Sequence, residues 1–467
     1  MSVIDSFYDI MAWLIRLVLD NSDEPFFEKY SALTFEQTNK INEELEKHFP
    51  ELLYQKQIQP IIDFQKYDEL FFQRIKQFAE KDQNEFQLQK IVSLLSKLDI
   101  LLSFYIQNYS SEEEKRGLNF NINDTHIQLL PRTKCFWEHD RRGADYSNCL
   151  LNYLHYFYYI DSEKLGTYEV WNRFLAPNTF WHAEKRKFLR IGVSPLSNQG
   201  KLEWHTEIKN GTQYFSINKV ENIDIIEENV LAIVDEAKKQ GVDILVMPEM
   251  LGSYHIRKSV ADKLSEFPEN DESYPALTVL PSIWEAHQNT VIVLDEYGDE
   301  VIRQEKQHPF MLKNSEEGNC LENINPDRKI HLIHCEGIGR IAIMVCKDAL
   351  MKDYLHMVLT VLKVTLLIIP SFSTGNYNFK EIIQYCRVAD CCAFWINTCS
   401  VAITMGLDDK KLKNIGFALK AGKRPNDPNM ENGLFLCERK SQGCENCGIA
   451  GCNQCMFIHD LVFGKGG

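Results

Sequence analysis

Arg340-Ile341-Ala342-Ile343-Met344-Val345-Cys346-Lys347-Asp348 is an apolar run that reads as a buried strand, ends in one cysteine, and passes at once into a helical pattern. A thiol at a strand-to-helix turn sits beside free backbone N–H groups, which favour thiolate character and can receive an anion. Buried cysteines at strand ends are also ordinary small hydrophobes. The assignment therefore turns on whether the rest of the chain supplies a base and an oxyanion partner.

Working outward, strands and helices alternate. Phe188 to Ser194 is a short strand, followed by a linker containing Gly200 and Gly211. Ile223, Ile226, Val230, Ile233, Val234 and Ala237 form the apolar face of a helix from about 221 to 239, with Asp224 and Glu227 resembling a capping pair. Val242 to Met247 is a strand that ends in Pro248-Glu249. A hairpin through Tyr297-Gly298-Asp299 delivers Glu305-Lys306-Gln307-His308, and strands 329–334 and 340–345 lead to Cys346. A helix from about 349 to 362, a strand at 364–369, a helix near 379–391 and a strand through Asn397 complete the regular part. Strand–helix–strand units of this length imply a sheet covered by helices.

Glu249, Lys306 and Cys346 all stand at the ends of apolar strands or hairpins. Each alone has a bland explanation: a satisfied carboxylate, a solvated lysine, an inert thiol. Together their chemistry is complementary. A carboxylate in a dry pocket can take a thiol proton, and a lysine with the amide of residue 347 can stabilise a tetrahedral oxyanion. That combination suits acyl transfer through a thioester.

The region from about 187 to 463 resembles the carbon–nitrogen hydrolase (nitrilase) superfamily. The resemblance rests on the opening strand, Asp243 to Met250, Lys306-Gln307-His308, Gly339 to Asp348, Leu367 to Ser371, and Arg387-Val388-Ala389-Asp390 followed by Asn397, in that order. It implies an α/β fold, an α-β-β-α sandwich of the nitrilase type. It also implies an amidase-like hydrolase of a non-peptide carbon–nitrogen bond in a small-molecule substrate, and a homodimer. Glu249 would be the base, Lys306 the oxyanion stabiliser and Cys346 the nucleophile. No cofactor is implied for catalysis. A second, substrate-positioning glutamate is expected, matched by Glu316 or Glu317. Two departures bear on substrate. Lys347 stands where the family often has an aromatic residue, which places a charge at the expected pocket wall. Phe372-Ser373-Thr374-Gly375 also lacks the tryptophan often found after the proline, so the family's neutral aliphatic substrates are not carried over.

Residues 1–185 read as a mostly α-helical domain of unknown function, preceding a hydrolase-like domain at 187–467. Helices are expected near 35–48, 68–80 and 85–107, with Leu88, Ile91, Val92, Leu95, Leu98 and Leu102 at helical spacing. A polar loop is expected at 110–148, and an apolar helix at 149–160. Trp171, Phe174, Phe180 and Trp181 are expected to pack this domain against the next. A different class of function is also open: a nitrilase-like binding or scaffold module whose helical N-terminal domain engages a protein or nucleic-acid partner.

The 467 residues carry 51 Lys plus Arg against 66 Asp plus Glu, a net charge of 51 − 66 = −15, which argues against nucleic-acid binding as the main task. The apolar stretch from Ile4 to Leu19 contains Asp5, Asp9 and Arg16, and reads as neither signal peptide nor membrane span, so a cytoplasmic location is expected. Fourteen cysteines then read as thiols or ligands rather than disulfides. Five crowd near the end, from Cys437, and Cys444-x2-Cys447 with Cys452-x2-Cys455 supply four thiolates suited to tetrahedral structural zinc in an insertion at 437–459. An iron–sulfur cluster and free thiols are the alternatives.

Overall fold

The computed structural model describes residues 3–23, 25–52, 67–81, 84–109, 120–121, 125–137, 149–196, 200–266, 273–314, 318–374, 377–405, 414–421, 433–436 and 456–463. The chain is mixed α/β and forms two compact units, Met1–Arg132 with His139–Gly166, and Thr133–Glu138 with Thr167–Gly467.

The first unit contains helices α1 (Val3–Asn21), α2 (Phe26–Ser31), α3 (Phe35–His48), α4 (Glu69–Glu80) and α5 (Glu85–Tyr109). The apolar stretch near the start is α1, whose Phe7, Met11, Leu14 and Val18 are buried inside this unit. Phe7 meets Tyr67, Phe71 and Phe72 with ring centroids 5.3, 6.3 and 5.1 Å apart. No described helix is long and apolar enough to cross a membrane. Beside the helices lies a three-stranded antiparallel sheet, β1 (Phe120–Asn121), β2 (Ile127–Pro131) and β3 (Phe157–Asp161). Two expectations fail here. Part of the polar region 110–148 is strand, and 149–160 is a short 3-10 turn followed by β3. The run Phe157-Tyr158-Tyr159-Ile160 is rich in aromatic and β-branched residues, which suit a pleated surface better than a helix. Asp99 on α5 holds the entry to β3 by accepting the N–H groups of His155, Tyr156 and Phe157 at 2.8–3.3 Å.

The second unit begins earlier than residue 187, because β4 (Glu169–Phe174) pairs in parallel with a later strand of its sheet. Next come α6 (Trp181–Arg186), β5 (Phe188–Val193), β6 (Leu202–Lys209), β7 (Thr212–Val220), α7 (Ile223–Lys239), β8 (Ile244–Val246), α8 (Tyr254–Leu264), β9 (Leu277–Val279), β10 (Ile283–Glu285), β11 (Gln288–Asp295) and β12 (Glu300–Glu305). The unit continues with β13 (Met311–Asn314), β14 (Gly318–Glu322), β15 (Lys329–Cys335), β16 (Gly339–Ile343), α9 (Lys352–Thr360), β17 (Leu366–Ser371), α10 (Tyr377–Val388), β18 (Cys392–Asn397), α11 (Ser400–Thr404), β19 (Asn414–Leu419), β20 (Gly433–Leu436) and β21 (Phe457–Val462).

Its strands make two seven-stranded sheets and one of four. The first runs β10-β11-β9-β8-β5-β21 with β12 on β11, the second β20-β19-β18-β17-β16-β15-β4, and the third β13-β14-β7-β6. The third sheet corrects the expected linker at 195–220. Asn210 (φ +51°) and Gly211 (φ +78°) close a two-residue turn between the paired ends Lys209 and Thr212, so the overlooked Asn-Gly was a hairpin signal. The expected capping pair is not formed either. Asn222 caps α7 without a side-chain hydrogen bond. The aromatics near 171–181 belong to this second unit, where Phe174 stacks on buried His334 at 4.2 Å and Trp171 is half-exposed.

Candidate active site

The site is built where strands of both large sheets and of the small one end. Glu249 stands three residues past β8, Lys306 directly after β12, Glu322 at the end of β14, and Cys346 three residues past β16. Strand β16 lies between β15 and β17, and every one of its residues is buried. Its apolar composition is what a strand covered on both faces requires. Cys346 follows in a left-handed conformation, φ +49°, and opens a 3-10 turn over Cys346–Leu350. A non-glycine residue held there needs its surroundings to fix it.

Asp348 provides that fixing. Its buried carboxylate accepts the N–H of Val345 at 3.3 Å, of Gln307 at 3.0 Å and of His308 at 2.7 Å, and lies 3.0 Å from His308 Nδ1. The far nitrogen of the His308 ring is 3.2 Å from the Tyr168 hydroxyl. One carboxylate thus fastens the cysteine turn to the segment that carries Lys306. On the other side, Met250 is also left-handed (φ +68°), and its N–H donates to Ser282 Oγ at 2.7 Å. Gly252 is obligatory nearby, since a Cβ there would meet the Pro281 carbonyl oxygen at 2.2 Å.

Lys306, Glu249 and Glu322 form a closed ionic cluster whose side chains are fully buried. Lys306 Nζ is 2.8 Å from Glu249 Oε1 and 2.7 Å from Glu322 Oε2. Asn289 Nδ2 donates to both carboxylates, at 2.8 Å to Glu249 and 3.2 Å to Glu322. The other oxygen of Glu249 accepts the Phe372 N–H at 2.8 Å, and Glu322 Oε2 accepts the Phe310 N–H at 3.0 Å. The Cys346 thiol has two acceptors in reach, the Phe372 carbonyl at 3.8 Å and the Glu249 carboxylate. Ionic groups this deep persist only when paired and hydrogen-bonded, and removing one partner typically costs about 3–5 kcal/mol.

The electrostatics follow from this packing. Burial raises Glu249 above the usual carboxylate range, opposed by Lys306 and reinforced by the charge of Glu322. Burial alone would strip Lys306 of its proton, but the two carboxylates outweigh it and hold the ammonium well above its ordinary value. The Cys346 thiol is raised by burial first and by Glu249 second, with Lys306 pulling the other way. At rest the cluster therefore holds a neutral thiol beside a carboxylate able to receive its proton.

The three residues singled out from the sequence thus converge. Glu316 and Glu317 lie outside the described residues, and the carboxylate beside Lys306 is Glu322. Lys347 is partly exposed, and does not line the cavity that reaches Lys306. Sequence reading missed Asn289, Glu322 and the bracing role of Asp348. Asp348 and His308 stood inside quoted motifs, whereas Asn289 and Glu322 had no local signal. Cys444, Cys447, Cys452 and Cys455 lie outside the described residues, among which no group of three or more His, Cys, Asp or Glu side chains could hold a metal ion. That segment joins β20, at the edge of one large sheet, to β21, at the edge of the other.

No known family profile matches the chain, and no curated protein matches it. Solved structures give weak likenesses. A mutant of the Nesterenkonia AN1 amidase from the nitrilase superfamily matches with a TM-score of 0.35 and 13% identity, covering 59% of this chain and 90% of that one. The glutamine-dependent NAD+ synthetase from Acinetobacter baumannii matches at 0.33 and 12%, covering 45% of this chain and 38% of that one. The C. elegans NitFhit protein matches at 0.31 and 14%, covering 45% and 51%. The chain thus spans well under two thirds of the synthetase and of NitFhit.

Proposed function

We propose that the chain is a thiol-dependent amidohydrolase of the nitrilase type, which cleaves a non-peptide carbon–nitrogen bond of a small molecule through a thioester. The observation that carries this reading is the buried Glu249–Lys306–Glu322 cluster with Cys346 against it. A thiol, a carboxylate that can take its proton and a buried ammonium that can face an oxyanion are together a set of groups suited to covalent acyl transfer.

Cys346 Sγ attacks the amide carbon while its proton passes to Glu249. The carbonyl oxygen becomes an oxyanion facing the Lys306 ammonium and the backbone N–H of Lys347. Collapse breaks the C–N bond, Glu249 returns the proton to the leaving amine, and a thioester remains. Water then attacks the thioester with Glu249 again as base, which frees a carboxylic acid and restores the thiol. Glu322 and Asn289 act at one remove, holding Lys306 charged and Glu249 oriented. Treatment with a substrate-like electrophile should add its mass at Cys346, and Cys346→Ala should abolish both the adduct and amide turnover. An unreactive Cys346 beside reactive surface thiols would sink the reading in favour of a binding module.

We also infer structural zinc at Cys444, Cys447, Cys452 and Cys455, because two C-x2-C pairs make a closed four-thiolate donor set. Metal analysis of protein purified under reducing conditions should give one zinc per chain, reduced by Cys447→Ser. Absence of bound metal refutes it.

A further inference from the structure

We propose that Asn397 is a positioning residue of the reactive centre, setting Glu249 and Cys346 against each other through the backbone of Phe372; this rests on the thioester reading above. Strands β17 and β18 pair in parallel as far as Ser371 and Asn397, where their ladder ends. The Asn397 side chain carries the pairing on to Ser373. Its Oδ1 accepts the Ser373 N–H and its Nδ2 donates to the Ser373 carbonyl, each at 2.8 Å. Both residues are buried. Phe372 lies between the last rung and this clamp, so its backbone is held from both sides.

Phe372 divides its backbone groups between the base and the nucleophile. Its N–H donates to Glu249 Oε2 at 2.8 Å, and its carbonyl lies 3.8 Å from Cys346 Sγ. The Phe372 carbonyl and the Ser373 N–H belong to one peptide unit, which is planar and rigid. Asn397 Oδ1 and the Cys346 thiol therefore sit at opposite ends of the same plate, and fixing one end aims the other. Asparagine suits the place because its amide offers a donor and an acceptor side by side, as a strand backbone does. An aspartate would offer acceptors alone, and an aliphatic residue neither. A clamp that only closed the sheet would have no need to hold this peptide. Here the N–H on Glu249 favours the ionised form that takes the thiol proton, and the carbonyl gives the thiol its second acceptor. Without Asn397 the peptide is free to turn, and both contacts loosen together.

The test follows p-nitrophenyl acetate turnover and iodoacetamide alkylation of Cys346 in the parent chain, Asn397→Ala and Asn397→Asp. Asn397→Ala should lower kcat about 10- to 100-fold per folded molecule, with KM within about threefold, since it misplaces reacting groups without removing one. The acid limb of its kcat/KM profile should move upward by about half a pH unit or more. Glu249 then lacks the N–H that favours its ionised form, while Lys306, Glu322 and Cys346 still face it. Asn397→Asp keeps the side-chain volume and the acceptor for Ser373 N–H but loses the donor, so its kcat should fall between the other two. Alkylation rates at Cys346 should follow the same order. Variants that unfold at lower temperature, yet keep kcat within about twofold and an unmoved acid limb, overturn the inference and leave the thiol mechanism standing. A parent Cys346 that neither p-nitrophenyl acetate acylates nor iodoacetamide alkylates overturns the mechanism and this inference with it.

Discussion

Asp99 in the first unit and Glu249 in the second are both carboxylates withdrawn from solvent, and burial raises both, Asp99 to about 6. Their partners differ. Asp99 spends its oxygens on the three consecutive N–H groups that lead into β3, with Arg132 as a weaker charge nearby. Nothing in that arrangement leaves an atom to react. Glu249 shares its oxygens among a lysine, an amide side chain, a backbone N–H and a thiol. Burial perturbs a carboxylate in either setting, and only the identity of its partners separates a structural clasp from a chemical group.

The largest expected effect breaks the second site and spares the first. Cys346→Ala and Glu249→Gln should each lower kcat/KM by about 1,000-fold or more, as loss of a nucleophile or its base does elsewhere, with thermal unfolding shifted by a few degrees at most for the cysteine variant. Lys306→Ala should fail on both counts, since it strands two buried carboxylates at a cost of about 3–5 kcal/mol; chemical denaturation measures that. Asp99→Asn should do the opposite of Cys346→Ala. It turns an amide N–H toward backbone donors and should cost about 1–3 kcal/mol in stability, while kcat/KM per folded molecule stays unchanged.

A pH series sharpens the contrast. Activity needs ionised Glu249, so kcat/KM should be lost as pH falls through a value above the ordinary glutamate range near 4.3. Asp99 acts on stability instead. Its folded pKa, about 6, exceeds its unfolded value of 3.8, so the unfolded chain releases the proton first as pH rises. The folded state's advantage from this group is therefore present below about 4 and lost as pH climbs to about 6. The stability difference between the parent protein and Asp99→Asn should shrink over that window, as read from unfolding midpoints at fixed denaturant. A flat difference would mean that Asp99 is not perturbed.

Smaller effects should follow from the bracing groups. Asp348→Asn should lower kcat about 10- to 100-fold with little change in KM, because it misplaces the cysteine turn relative to Lys306 rather than removing a reacting group. Tyr168→Phe, one step further out, should cost about threefold or less in the same assay.

Glu249 and Cys346 were legible because they follow strongly apolar strands, where a polar residue stands out against its neighbours. Lys306 follows the polar arm Glu300–Glu305 and stood out only because its chemistry complements the other two. Glu322 was hidden because it closes a short strand beside the undescribed Glu316 and Glu317, and its partner Lys306 is supplied by a different sheet. Asn289 is the second residue of β11 and looks like any strand-end amide; only the pairing of β11 with β12 sets it beside Lys306. In the fold, the helices with clean periodicity were found near their observed bounds, as with α3, α4 and α5. The errors came where turn chemistry was passed over, at Asn210-Gly211, and where aromatic density was taken for helix, at β3. The cysteine-rich segment remains a matter of spacing alone.

The strands of the four-stranded sheet differ in how much change they can absorb. Glu322 lies on its inner strand β14, in register with Phe215 of β7, and is bonded to Lys306 and to the backbone of Phe310. Trp204 sits on the rim strand β6, bonded to neither carboxylate. A substitution on the edge strand β6 leaves these bonds in place, whereas loss of Glu322 removes one of the two carboxylates that pair the buried lysine. The sheet should therefore tolerate change along β6 and resist it at the end of β14.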